Sequence, residues 1–238
     1  MTGYAHPLAT ALSTWGVQRM ALAREPCFAG GMTELPMFPL GSVLFPHMPL
    51  ALRVFEDRYV VMLSRILDDD PAEFGVVLIE RGQEVGGGEH RFAYGTVAQI
   101  VQLEGASGFI AVVAQGERRV EVTEWLDDEP FPRAVVRELD DLVWDDSLLP
   151  LRERAEHEVR RALALASEFA DMPWAASVEI SDDPVEAAWQ LAAIAPLGPL
   201  DQVSLLGAES MHQLLISVIE LTDAAAQSIG ESWPEDED

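Results

Sequence analysis

Residues 35–59 read LPMFPLGSVLFPHMPLALRVFEDRY, a run of apolar residues that prolines interrupt at four positions. Met37 to Leu40 predicts a short strand at the edge of a sheet, because proline cannot donate a hydrogen bond to a neighbouring strand. Leu50 to Phe55 predicts a second strand. Asp57 predicts the cap of a helix that continues to Leu67, since apolar residues recur on one of its faces. The stretch thus predicts two strands and a helix in close succession.

Beyond this stretch, the chain is first rich in strands and then rich in helices. Apolar segments of strand length recur as far as Leu139, with separate strands expected at Phe109–Ala114 and around Val120, and they predict a small closed sheet or barrel. After Asp146 the apolar residues recur with a helical period, and Asp183-Pro184 is typical of a helix start. We expect an α+β fold in four parts: a flexible N-terminal extension at 1–31, a β-rich part at 32–145, a helical part at 146–229 and an acidic tail at 230–238. A docked helix from Ala5 to Arg24 is the alternative for the extension.

The chain is acidic and contains no lysine. Forty-one Asp and Glu residues oppose fifteen basic residues, all of them Arg, which gives a formal net charge of −26. We therefore expect neither a nucleic-acid partner nor a membrane partner, because both require cationic patches. Without lysine this sequence cannot supply a P-loop, a Ser-Lys dyad or a Schiff base. Cys27 is the only cysteine, which excludes an internal disulfide and fits the cytoplasm.

Several segments together carry a resemblance to a known family. Leu35–Leu40, Val43–Pro46 and Leu52–Tyr59 closely resemble the opening of the Lon protease N-terminal domain. Later segments follow in the family's order: Phe74–Ile79, Gly95–Ile100, Gly116–Val120 and Asp201–Leu206. The sequence is identified as a stand-alone member of this substrate-binding domain family, without ATPase or peptidase domains. The resemblance implies a PUA-like β-barrel, a C-terminal helical bundle and a role in holding polypeptide.

Candidate binding residues lie within the stretch quoted first. One or two of Phe45, Met48 and Leu50 are expected to stay exposed and to accept unfolded polypeptide, since methionine adapts to varied sequences. The candidate substrate-binding residues are Phe45, Met48, Leu50, Phe55 and Tyr59. The alternative is architectural, with phenylalanines filling the barrel interior and prolines fixing the strand ends. Arg118 and Arg119 are expected to brace a pair of strands.

The sequence contains no catalytic or metal-binding pattern. The five histidines form no H-E-x-x-H motif, and no G-x-S-x-G motif occurs. Aspartate pairs such as Asp127-Asp128 lack the spacing of a calcium loop, so we expect no metal and no cofactor. The sequence therefore predicts a non-catalytic module that binds unfolded or degron-bearing polypeptides, as an adaptor for a separate protease or chaperone in protein quality control. An RNA-binding PUA-like module and a hydrolase of unknown substrate are the alternatives.

Overall fold

The computed structural model describes the backbone of residues 31–79 and 91–232, and the side chains as far as residue 229. The predicted N-terminal extension, its docked-helix alternative and most of the predicted acidic tail lie outside the described residues. The described chain forms two compact units. One contains residues 31–141 together with Gln202–Gly207, and the other contains residues 142–201 and 208–232.

The unit that contains residues 31–141 holds six strands and one complete helix, together with the Gln202–Gly207 segment. Its strands are β1 (Met32–Leu40), β2 (Pro49–Val54), β3 (Glu73–Ile79), β4 (Arg91–Ala106), β5 (Phe109–Trp125) and β6 (Arg133–Glu138). Helix α1 (Asp57–Ile66) lies between β2 and β3 in the chain. Strands followed by helices confirm the predicted α+β fold. The two strands expected at Phe109–Ala114 and around Val120 are one continuous strand.

Five of the six strands form a closed ring of pairings. β5 pairs with β4, β4 with β3, β3 with β1, β1 with β6, and β6 returns to β5. The ring closes because β5 is long enough for two partners on one side. Its residues Ile110–Gln115 pair with β2, and Val120–Trp125 pair with β6. Among the described strands, β2 alone has a single partner, and it lies outside the ring.

One apolar cluster joins the ring strands. Its members come from all five of them: Leu35, Met37, Val77, Val97, Val120, Ala134 and Val136. Burial of a large aliphatic side chain contributes about 1.5–3 kcal/mol, so the cluster is a main source of the unit's stability. No residue of β2 belongs to it.

Helix α1 buries one face and begins without a side-chain cap. Its buried residues are Tyr59, Met62, Leu63 and Ile66. The ring of Phe38 in β1 stacks on Tyr59 with the centroids 4.0 Å apart. The prediction that Asp57 caps this helix is wrong, because Glu56 occupies the N-cap position. Asp57 lies in the first turn, where its charge interacts favourably with the helix dipole.

The other unit is helical. A 3-10 turn (Asp146–Leu148) leads into α2 (Leu149–Ser167), followed by α3 (Pro184–Ile194), α4 (Pro199–Leu206) and α5 (Met211–Ser232). From Gln202 onward, α4 belongs to the unit that contains the sheet. Asp183 caps α3 as predicted, since its side chain accepts hydrogen bonds from the N–H groups of Val185 and Glu186. Helix α2 packs on α5, and α3 packs on both. Arg160 of α2 donates to the carbonyl oxygens of Ala176 and Val178, which fastens the connection between α2 and α3.

Candidate functional site

The five candidate residues divide into buried and accessible ones. Phe45, Met48 and Tyr59 are only 1%, 6% and 4% exposed. The expectation that the Pro-rich loop leaves an apolar patch open is therefore wrong for Phe45 and Met48. Phe55 is 70% exposed and Leu50 is half-buried. The architectural alternative is in turn wrong for Phe55, which does not fill an interior.

The loop that carries Phe45 and Met48 closes onto β5. The N–H of His47 donates to the carbonyl oxygen of Gly116 at 2.8 Å, and the N–H of Gly116 donates to that of Met48 at 2.9 Å. Any Cβ at Gly116 would collide with the carbonyl oxygen of Phe45, so the loop can approach only glycine. Thr96 donates its hydroxyl to the carbonyl of Leu44 at 2.6 Å. The loop is therefore part of the core.

Strand β2 and the residue that follows it form an accessible surface. We name it the β2 surface and define it as Leu50, Ala51, Leu52, Arg53 and Phe55. Ala51, Arg53 and Phe55 are exposed, while Leu50 and Leu52 are half-buried. The Arg53 guanidinium lies 4.1 Å from the ring centre of Phe109, a cation–π contact that holds it against β5. The surface thus offers apolar area beside one engaged cation.

Exposed apolar side chains also occur elsewhere, outside the residues that the sequence predicts for binding. Val143, Leu200, Met32 and Val101 are the most prominent. Isolated exposed apolar residues are common on soluble proteins, and no sequence signal separates these from buried ones. Phe55 differs because it directly continues a strand that has one unpaired side.

Two arginines of β5 have structural contacts, and Arg118 braces strands as predicted, whereas Arg119 holds segments outside the strands. Arg118 pairs with Glu73 and Glu138, and so connects β5 to β3 and β6. Burial lowers the pKa of Arg118, but the hydrogen bonds and charges of the two glutamates outweigh burial and raise it overall. Arg119 donates to the carbonyl oxygens of Leu206 and Asp140. Burial lowers the pKa of Arg119, and neighbouring aspartates offset only part of that effect.

A metal site, an enzyme active site and a membrane-spanning helix find little support in the described residues. No group of three His, Cys, Asp or Glu side chains among residues 31–79 and 91–229 could hold a metal ion. An open pocket is lined by Asp127, Asp128, Glu129 and Arg133. It brings together no nucleophile and base, and Arg91 already pairs with Asp128. None of the helices described is both long and apolar enough to cross a membrane.

Known proteins resemble this chain over much of its length. The Lon protease of Heliobacterium modesticaldum is 33% identical over 119 residues, which are 49% of this chain and 15% of that protease. A Lon N-terminal domain protein from Xanthomonas campestris, known from a crystal structure, superposes with a TM-score of 0.56 at 25% identity, covering 79% of this chain and 98% of its own. The N-terminal domain of Mycobacterium avium complex Lon protease has the same TM-score at 16% identity, covers 80% of this chain and 98% of its own, and shows the fold alone.

The family match extends over most of the chain. Residues 34–224 match the family described as the ATP-dependent protease La (LON) substrate-binding domain. The chain spans about 15% of the length of the Heliobacterium protease and 24% of the Lon protease of Escherichia coli K12. The likeness therefore concerns one part of those proteases. Because the match runs from β1 into α5, this chain belongs to the family of Lon substrate-binding domains.

Proposed function

We propose that this chain recognises unfolded or degron-bearing polypeptides and presents them to a separate protease or chaperone. The family description names a substrate-binding domain, and the match extends over residues 34–224. In this role the chain is an adaptor in protein quality control and works in the cytoplasm without chemistry of its own. The absence of enzymatic activity stays a prediction.

One structural observation supports the proposal most directly. Phe55 is 70% exposed directly after β2, the strand that carries the half-buried Leu50 and Leu52. Full burial of one phenylalanine is worth about 1.5–3 kcal/mol, which is enough to contribute to a weak complex. Unfolded chains expose apolar side chains of many kinds, so a small apolar surface fits such clients.

The distribution of arginines argues against RNA as the ligand. RNA binding needs a face of free cationic side chains. Most described arginines already pair with carboxylates, as Arg58 does with Glu56, Arg133 with Glu34 and Arg137 with Glu121. Arg53 is engaged with an aromatic ring, and Arg119 with backbone carbonyls. The net charge of −26 adds a repulsive field.

A capture assay tests the proposal. Immobilised chain is incubated with reduced, alkylated ribonuclease A, and native ribonuclease A serves as a control of nearly the same charge. We expect capture of the unfolded form only, with an affinity on the order of micromolar. Equal capture of both forms, or of neither, would contradict the proposal.

Two variants locate the binding surface in the same assay. Phe55→Asp should weaken capture about tenfold, because it removes apolar area and adds a charge that must be desolvated. Leu200→Asp is the matched control, since Leu200 is also exposed, at 65%, and lies outside the β2 surface. If Leu200→Asp weakens capture and Phe55→Asp does not, the binding surface lies elsewhere.

A further inference from the structure

We propose that the outer edge of β2 binds an extended segment of client polypeptide as an additional strand. The inference rests on the proposed function and specifies how the client is held. Recognition would then depend mainly on the client's backbone, which every polypeptide shares, and only secondarily on its side chains.

The hydrogen-bond pattern of β5 identifies which groups of β2 face outward. In an antiparallel pair, opposite residues alternate between hydrogen-bonded and non-hydrogen-bonded positions. The N–H of Gly116 donates to the carbonyl oxygen of Met48, and the register continues with Leu50 opposite Ala114. Leu50, Leu52 and Val54 therefore take the hydrogen-bonded positions. The N–H and C=O groups of Ala51 and Arg53 point away from β5.

The pairing of β5 with β4, on the opposite side of β5, leads independently to the same assignment. The turn between β4 and β5 consists of Ser107 and Gly108, and it places Ala106 opposite Phe109. In a hairpin with a two-residue loop the closing pair is hydrogen-bonded, so β5 uses residues 109, 111 and 113 towards β4. Residues 110, 112 and 114 remain for β2, as the register requires. No backbone partner for Ala51 or Arg53 occurs on the outer side within the described part of the chain.

Side chains beside this edge suit an extended apolar client. Leu50 and Leu52 lie on one face of β2, and both are half-buried, so an added strand would cover their remaining area. Phe55, at the end of the strand, is exposed. An added strand would therefore find apolar area along β2 and at its end.

A second free edge exists in the outer half of β4, but its side chains are polar. Gln102 donates to the carboxylate of Glu104 at 2.8 Å on this segment, and the register shifts between Ile100 and Gln102. Charges and bulges are features with which proteins discourage strand addition. The edge of β2 is the more favourable of the two.

The charge of the chain indicates which kind of partner binds at the β2 edge. A second copy of this chain would carry the same net charge of −26, and the two copies would repel each other. The acidic residues Glu56 and Asp57, both exposed, follow the edge directly. The occupant is therefore an extended client segment that is neutral or basic, with apolar side chains at alternate positions.

Proline substitutions test the edge in the intact chain. Ala51→Pro removes an outward N–H and leaves the hydrogen-bonded positions towards β5 untouched. Gly105→Pro is the matched control, because Gly105 faces outward on the β4 edge and a Cβ there would meet nothing within 4 Å. Ala51→Val retains the N–H in a residue that favours strands.

Capture of reduced, alkylated ribonuclease A is measured for each folded variant. We expect about tenfold weaker capture by Ala51→Pro, from the loss of backbone hydrogen bonds, and unchanged capture by the other two variants. If Ala51→Pro captures as wild type does, strand addition is wrong while the proposed function stands. If wild type captures nothing, the proposed function itself fails. A loss confined to Gly105→Pro would place the client on β4 and overturn the inference.

Synthetic peptides test the same point without altering the protein. The parent peptide alternates valine and threonine between terminal arginines. N-methylation of every second residue leaves one edge of the peptide able to pair, whereas methylation of every residue leaves none. Wild type should bind the first two peptides alike and the third about tenfold more weakly. Equal binding of all three peptides would mean that side chains alone are recognised. If a second copy of the chain occupied β2 instead, the protein would form a concentration-dependent dimer that Ala51→Pro abolishes.

Discussion

The five ring strands and β2 belong to one sheet but differ in what their neighbours leave open. Each ring strand has at least two partner strands and contributes to one buried cluster. β2 is held by β5 alone and contributes nothing to that cluster. The comparison shows that different strands provide stability and accessibility. The ring strands stabilise the fold, while β2 keeps backbone groups and apolar area accessible.

The same substitution in the two regions should give the largest contrast. Ala134 of β6 is fully buried in the ring cluster, whereas Ala51 of β2 is exposed. Ala134→Asp buries an unpaired carboxylate and should destabilise the protein by about 4 kcal/mol or more. Ala51→Asp should change the free energy of unfolding by less than about 0.5 kcal/mol. Urea unfolding followed by circular dichroism measures both, and similar losses would refute the division.

A substitution in the loop that precedes β2 should lower the stability of the protein, as a substitution in the ring does. Met48 is buried, so Met48→Ala removes core packing and should cost about 2–5 kcal/mol. Capture of an unfolded client by the fraction that remains folded should be unchanged. A stable Met48→Ala variant with weaker capture would instead make this residue part of the binding surface.

Added salt should have the smallest effect, and that effect is on the affinity for an unfolded client. If apolar area and backbone hydrogen bonds hold the client at β2, screening of charges removes little of the binding energy. The affinity for a neutral unfolded client, measured by fluorescence anisotropy, should change less than about twofold between low salt and about 0.5 M salt. Loss of binding over that range would show that charge attraction dominates and that the apolar surface is incidental.

The sequence predicts the order of strands and helices well because periodicity and turn residues are local signals. The helix start at Asp183 and the strand at β2 are of this kind. The closure of the ring is not local. It depends on β5 continuing from Phe109 to Trp125 and changing partners midway, and nothing in its composition distinguishes one long strand from two short ones.

The candidate site was harder to predict for the same reason. The sequence groups Leu50 with Phe45 and Met48 because all three are apolar and lie next to prolines. Which of them is buried depends on Gly116, far along the chain, whose missing side chain admits the loop. A single sequence does not reveal that contact.

Arg119 has a consequence for how the protein is made. Its guanidinium donates to Leu206 and Asp140, and Gln202–Gly207 belong to the same compact unit as the sheet. During synthesis on the ribosome, the sheet strands emerge long before residue 206. Until then the guanidinium lacks the carbonyl oxygen of Leu206, and a hydrogen bond from a charged group contributes about 1.5–3 kcal/mol. The β-rich unit should therefore reach full stability only after translation has passed through the helical segment that interrupts it.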